Sequence, residues 1–387
     1  MLYANKISLV INKPLWKKSF WIKIFVQYKI YIFFKIWVKI LAVNSKIELA
    51  DERIILSVDK VNKLLINLFI SLGCSKEIAF EISEHLIDSS LCGVESHGVF
   101  RALQYKKWYE TGYLSISSKP KLRELSSNTY EIDGDGGLGI PVMNFAFKKA
   151  IEYSEKNGIT ATAIKNIGHT GRLGYYVDYA ANKGLMTIWI SGGNRKDWSQ
   201  VAPYGGIERK LPTNPWCIGF PGGKNGSVVL DFATSKISGG LIYAAKSAGG
   251  LLPEGCIIDK KGNLTRNPDH YFDGGAILPF GKHKGFGLSL IAQLVAESML
   301  GEIKKEANWL LIAINTSTYN TRNQLKEFAD KILSDVINCE TAFGFNDIKI
   351  PGEIERNNKV NSDNKIYLPK KTWEQLITIV SKQNKKL

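Results

Sequence analysis

Cysteine is scarce in this 387-residue chain, acidic residues are missing from its first 45 positions, and its most apolar stretch is repeatedly broken by lysine. Each shortage excludes something. The five cysteines, Cys74, Cys92, Cys217, Cys256 and Cys339, stand far apart with no CxxC pair. An odd, scattered set indicates neither a disulfide framework nor a zinc site. Inert thiols in a reducing cytoplasm are the expectation, and no metal is expected. Without internal repeats or a low-complexity linker, the length suits one large α/β unit or two lobes.

The missing acids localise the charge. Of 51 basic side chains against 36 acidic ones, eight lysines fall within residues 1–45, so the remainder is only mildly basic. A nucleic-acid partner is therefore not required. Residues 24–43 are rich in Ile, Phe, Tyr and Trp, yet their longest lysine-free stretches are five residues. A membrane-spanning helix needs about 20 mostly apolar residues. Lys23, Lys29 and Lys35 would fall about 120° apart on a helix, which also argues against a clean interfacial amphipath. A secretory signal is disfavoured by the broken apolar centre and the lack of a small-residue cleavage site. Three readings stay open: a non-native extension from an upstream start codon, a peripheral membrane or partner-binding tail, or an organelle-type presequence. Residues 1–45 are set aside from the fold. The rest is expected in the cytoplasm, with membrane contact only if the extension is real.

Beyond the extension the chain is α/β in texture. Helices are predicted from Val58 to Leu72, from Ser75 (as N-cap) to Ser89, and from Ser96 towards Thr111, the last carrying His97, Arg101, Tyr105 and Trp108. Beyond Pro120, short strands alternate with helices, and Cys256–Leu264 reads as a hairpin turning at Lys261-Gly262. This predicts a mixed, largely antiparallel sheet with flanking helices. The expected divisions are the extension 1–45, a helical lobe 46–128, a cofactor-binding domain 129–300, and a C-terminal α/β segment 301–387 completing the first lobe.

Gly134-Asp135-Gly136-Gly137-Leu138-Gly139 satisfies G-x-G-x-x-G after a strand and before a helix. Asp135 would oppose a pyrophosphate, and Ile140-Pro141 delays the expected helix start to about Met143. No acid stands at a strand end about 20 residues on. The motif is read as a strand-to-helix turn.

The chemistry-bearing groups come in an ordered series. His97 and Arg101 lie four apart, so one helical face would carry a proton shuttle beside a carboxylate fork. Gly168-His169-Thr170-Gly171-Arg172-Leu173-Gly174 opens a helix, where free amides could meet an anion. Further along the chain come Pro212-Thr213-Asn214-Pro215, Leu230–Ser235, His283-Lys284-Gly285 and Pro351-Gly352-Glu353. Each alone is loop chemistry; together they make a bed for a phosphate-bearing cofactor.

This ordered set resembles the type-2 malate/L-lactate dehydrogenase family over about residues 57–380, most of all its hydroxycarboxylate dehydrogenase branch. The resemblance implies a non-Rossmann nicotinamide-binding fold, a homodimer, NAD or NADP as cofactor, and a small 2-oxo or 2-hydroxy acid as substrate. It implies proton transfer by His97, with His169 as the rival base, and a carboxylate contact from Arg101. Ser96, Arg172, Thr213 and Asn214 would border the substrate. Asp231, Phe232, Ala233, Thr234, Lys284, Gly285, Gly352 and Glu353 would hold the cofactor. Two departures bear on substrate preference: Pro212 replaces the family's usual glycine, and the stretch between Gly301 and Trp309 is shorter than usual. The rival readings are a cyclic imine (piperideine/pyrroline-2-carboxylate) reductase of the same family and a catalytically silent membrane-associated protein.

Overall fold

Ser57 and Ser75 each end an extended stretch and accept a backbone N–H three residues on, from Lys60 (3.4 Å) and Ile78 (3.2 Å). Two helices therefore start where a hydroxyl can satisfy their first free amides. The computed structural model describes residues 52–247 and 249–384; the basic extension 1–45 lies outside them. All elements below belong to the unit Ile47–Thr341 with Phe345–Leu387.

In chain order, β1 (Arg53–Ser57), α1 (Val58–Ser71), α2 (Lys76–Leu91) and α3 (Arg101–Glu110) precede β2 (Lys121–Ser126), β3 (Thr129–Asp133), α4 (Gly139–Asn157) and β4 (Ile159–Ile167). Then come α5 (Gly174–Asn182), β5 (Leu185–Gly193), α6 (Arg195–Trp198), β6 (Trp216–Phe220), β7 (Val228–Phe232) and α7 (Gly239–Ser247). Short β8 (Ile257–Ile258), β9 (Leu264–Thr265), α8 (Pro268–Phe272) and β10 (Ala276–Ile277) lead to α9 (His283–Gln293), which runs on as a π-helical turn, Leu294–Met299. The chain closes with β11 (Ala307–Asn315), α10 (Arg322–Ile337), α11 (Glu353–Asn361), β12 (Lys365–Pro369) and α12 (Lys370–Asn384).

Seven strands form the main sheet in the order β2-β3-β4-β11-β5-β6-β7. Only β3 and β4 are parallel, joined by the crossover helix α4; the other pairs are antiparallel. The sheet is thus mixed and mostly antiparallel, with helices flanking it. Helix α4 presents Val142, Met143, Ala146, Phe147 and Ala150 to a core that includes Ile164, Trp189 and Trp309. A second core joins α1, α2 and α3 to β12 and α12 through Leu65, Leu86, Tyr105, Leu368 and Leu376. No helix among the described residues is long and apolar enough to cross a membrane.

Two expectations need correction. His97 and Arg101 do not share a helix: Glu95–His97 form a 3₁₀ turn, Gly98 is extended, and α3 starts at Arg101. The cause is close packing on α2. The Val99 N–H donates to Ser90 Oγ (3.0 Å), and a Cβ at position 98 would lie 2.2 Å from that oxygen. Conversely, α4 starts at Gly139, not near Met143. Pro141 falls in its first turn, where a missing N–H costs no intrahelical bond. The glycine turn is nonetheless no phosphate cradle. The amides of Gly136 and Gly139 already donate to Asn166 O and His169 O, and Asp135 N–H caps onto Asp133 Oδ1.

Candidate active site

Strand β4 delivers Gly168-His169 to the sheet end, and the turn after it is closed by the protein's own acceptors. The Gly171 N–H donates to His169 Nδ1 (3.1 Å), the Arg172 N–H to His85 Nε2 (2.8 Å), and the Gly174 N–H to Asp231 Oδ2 (2.8 Å). The expected free amides for an anion are therefore already taken at these positions. Gly171, at φ +75°, stands so close to His85 that a Cβ there would lie 2.0 Å from Nε2. Arg172 Nη2 pairs with Asp88 (2.6 Å), and Lys359 pairs with the same carboxyl. Burial alone would raise the Asp88 pKa, but Arg172 and Lys359 hold it below the ordinary carboxylate value.

His97 and His169 stack with ring centroids 5.3 Å apart at 24°. The chain holds them differently. An amide N–H can only donate, so the Gly171 contact makes Nδ1 of His169 an acceptor, and the neutral ring carries its proton on Nε2. Tyr105 Oη also bonds this Nδ1 (2.7 Å). His97 Nδ1 instead meets Ser96 Oγ (2.9 Å), a hydroxyl that can donate or accept. Arg101 is aimed by its Nε–H bond to Ser96 O (2.6 Å) and a second bond to Gln104. Burial, then the charges of Arg101 and Arg172, lower His97 to about 3. His169 is pushed down by burial, then by Arg101, His97 and His85. Both rings are neutral near pH 7.

These groups stand on one cleft of about 1480 Å³. Ser96, His97, Arg101, His169, Arg172, Thr213, Asn214, Asp231, Phe232, Ala233 and Gly352 all line it, whereas Thr234, Lys284, Gly285 and Glu353 are off its walls. Asn214 is fully buried and committed: Oδ1 accepts from Gly193 N–H, and Nδ2 donates to Ser289 and Gln293. Thr234 ties its N–H and hydroxyl to Thr213 O. Glu353 accepts the Ile350 N–H (3.1 Å) and pairs with Lys349. Burial raises the Asp231 carboxyl against the pull of the Gly174 amide and Arg172. Among the described residues, four wall side chains carry buried polar atoms without a partner: Arg172 Nε, Gln200 Oε1, Glu306 Oε2 and Trp309 Nε1. Such atoms are rare in folded proteins and mark a place where a ligand can complete the bonding.

Sequence reasoning missed His85, Asp88 and Glu306. The first two sit on the buried face of α2, where nothing distinguishes them locally from core polar residues. Glu306 lies in a charged loop, and only the pairing of β11 between β4 and β5 brings it to the cleft.

A family model described as malate/L-lactate dehydrogenase matches residues 56–377. L-sulfolactate dehydrogenase of Methanocaldococcus jannaschii is 34% identical over 336 residues, covering 83% of this chain and 95% of that protein. A solved structure of that organism's sulfolactate dehydrogenase gives a TM-score of 0.78 at 32% identity, covering 86% of this chain and 98% of the other. Hydroxycarboxylate dehydrogenase B of Escherichia coli is 31% identical over 236 residues, covering 60% and 65%. Malate dehydrogenase from Entamoeba histolytica shares the fold at TM-score 0.80 and 24% identity, covering 86% and 99%. The chain belongs to the malate/L-lactate dehydrogenase family, and it is an oxidoreductase of the 2-hydroxyacid dehydrogenase class.

Proposed function

We propose that the protein interconverts a 2-hydroxy and a 2-oxo carboxylic acid with NAD or NADP, His97 carrying the proton and Arg101 gripping the carboxylate. The stacked His97–His169 pair beside Arg101, on a cleft with unpartnered polar atoms, carries this reading. The cleft residues would hold a nicotinamide, which when bound would supply or accept the hydride at the substrate's C2. The cleft is large enough for a dinucleotide beside a small acid, and Asp231, Phe232, Ala233 and Gly352 would form the cofactor's wall, whereas Thr234, Lys284, Gly285 and Glu353 stand off it. Arg101 presents two parallel donors to a carboxylate, which fixes the substrate's orientation. Ser96, Arg172, Thr213 and Asn214 border the substrate. His169 Nε2–H donates a hydrogen bond to the reacting oxygen, and His97 gives that oxygen its proton during reduction and takes it back during oxidation. A carboxylate on Arg101 neutralises one of the two cations that depress His97, so substrate binding itself raises the ring's affinity for the proton.

The fold is proposed to bind its cofactor in a non-Rossmann manner, with the lobes 46–128, 129–300 and 301–387; the single parallel strand pair and the occupied glycine-turn amides support this. A homodimer in the cytoplasm is part of the same reading. Exposed Leu290, Ile291, Leu294 and Met299 on α9 and its π-helical turn offer an apolar surface for it. Replacing His97 with Ala should lower turnover by roughly 10²–10⁴-fold while NAD(P)H fluorescence still reports binding; unchanged turnover refutes the role. A cyclic imine reductase would use the same Arg101 and His97, and a panel of 2-oxo acids and cyclic imines with both cofactors separates the two.

A further inference from the structure

We propose that Glu306 is a specificity-determining residue: it makes this cleft select a 2-oxo acid whose distal end carries a positive charge or a hydrogen-bond donor, and reject one carrying a second acid group. This rests on the reading of Arg101 as the contact for the substrate's own carboxylate.

The placement of Glu306 is fixed by backbone. Its N–H donates to Ile167 O (3.2 Å), and its carbonyl accepts the Asn194 N–H (2.9 Å). It therefore stands just beyond the ends of β4 and β5, beside the segment that carries His169. Its side chain lines the cleft with Arg101, Trp108 and Trp198. Oε2 is buried without a partner, and no ion pair or hydrogen bond reaches the carboxyl among the described residues. Burial pushes this carboxyl up to about 7, against the pull of Arg101. A second carboxylate, Asp197, lines the same wall.

The cations of the cleft complete the argument. A second anionic group on a substrate would need one of its own, because burying an unpaired charge is costly. Among the described residues, three of the six wall cations are ion-paired, and Arg209 and Arg356 are tied to backbone carbonyls much as Arg101 is tied to Ser96 O and Gln104. Arg172 and Lys359 pair with Asp88. Arg209 donates to Gly275 O and Tyr271 O. Arg356 donates to Ser227 O and Asn225 O, and Lys349 pairs with Asp347 and Glu353. The group left unsatisfied beside Arg101 is Glu306, an acceptor with nothing to accept from. This residue lies in the shortened stretch between Gly301 and Trp309, so the departure from the family pattern falls where substrates would be sorted.

The test compares 5-guanidino-2-oxopentanoate with 2-oxopentanedioate at pH 8.5, where the carboxyl is ionised. Both kcat/KM and calorimetric binding to the enzyme–nicotinamide complex are measured, for the native protein and Glu306→Gln. The native protein should favour the guanidino acid by roughly ten-fold or more, and Glu306→Gln should lower that ratio by a similar factor. A native preference for the dioic acid, or a ratio unaltered by the substitution, overturns the proposal. If Glu306→Gln does not fold, the native ranking alone decides. Lack of turnover with any 2-oxo acid would refute the dehydrogenase reading, while the calorimetric ranking would still decide the role of Glu306.

Discussion

His97 and His169 face one another in the same cleft, both half-buried and both neutral, yet their supports differ in one respect that matters. The turn after β4 gives His169 a backbone N–H and a tyrosine hydroxyl at Nδ1, while the 3₁₀ turn before α3 gives His97 only a serine hydroxyl. A backbone amide fixes a tautomer; a hydroxyl can reverse its role as the ring gains or loses a proton. Protonating His169 at Nδ1 would break its hydrogen bond from the Gly171 amide, whereas protonating His97 need break none. The contrast supports His97 as the carrier and His169 as the group that orients the substrate oxygen.

Substitutions can break or sharpen this contrast. The largest effect should come from His97→Gln, which keeps a donor but removes the exchangeable proton; kcat/KM is expected to fall by roughly 10²–10⁴-fold. Asp88→Asn acts on the support of the other histidine. It leaves Arg172 without its buried counter-ion (side chains 9% and 7% exposed), and urea denaturation should show a loss of about 3–5 kcal/mol. Because the Asp88 carboxyl is held low in the fold, its contribution is present above the ordinary carboxylate pKa and is lost as pH falls through the folded value. The native protein should therefore be the more acid-sensitive of the two. His169→Gln can still donate to the substrate oxygen, so a loss of roughly ten- to hundred-fold in kcat/KM is expected, smaller than at His97. Glu306→Gln should reverse a smaller effect. A carboxyl raised to about 7 in the fold stabilises below its unfolded pKa, and that advantage is gone once pH has risen through the folded value. The native protein should lose thermal stability between pH 5 and pH 8 relative to the variant; parallel melting curves would contradict the raised carboxyl.

Much of this was legible from local pattern. Ser75 as a cap, the alternation of short strands with helices beyond Pro120, and the mixed sheet follow from hydroxyls, alternation and turn residues. The strands β1 and β12 were missed because they pair with each other across the chain, Arg53 opposite Pro369, so neither has a local partner to reveal it. The break between His97 and Arg101 depends on Ser90 pressing against Gly98, a contact between elements. For the site, the order of motifs found the cleft, but not which groups are spent on the fold. Asn214 and Glu353 look like ligands in sequence and are committed to the protein's own hydrogen bonds. Glu306 looks like surface and is among the uncommitted groups.

The central claim is the division of labour between the two histidines, and pH profiles of kcat/KM for oxidation of the 2-hydroxy acid test it most directly. His169→Gln should keep the ionisation limb of the native profile at a lower rate, and His97→Gln should flatten it. A limb that persists in His97→Gln and vanishes in His169→Gln would assign the proton to the wrong ring and contradict the account.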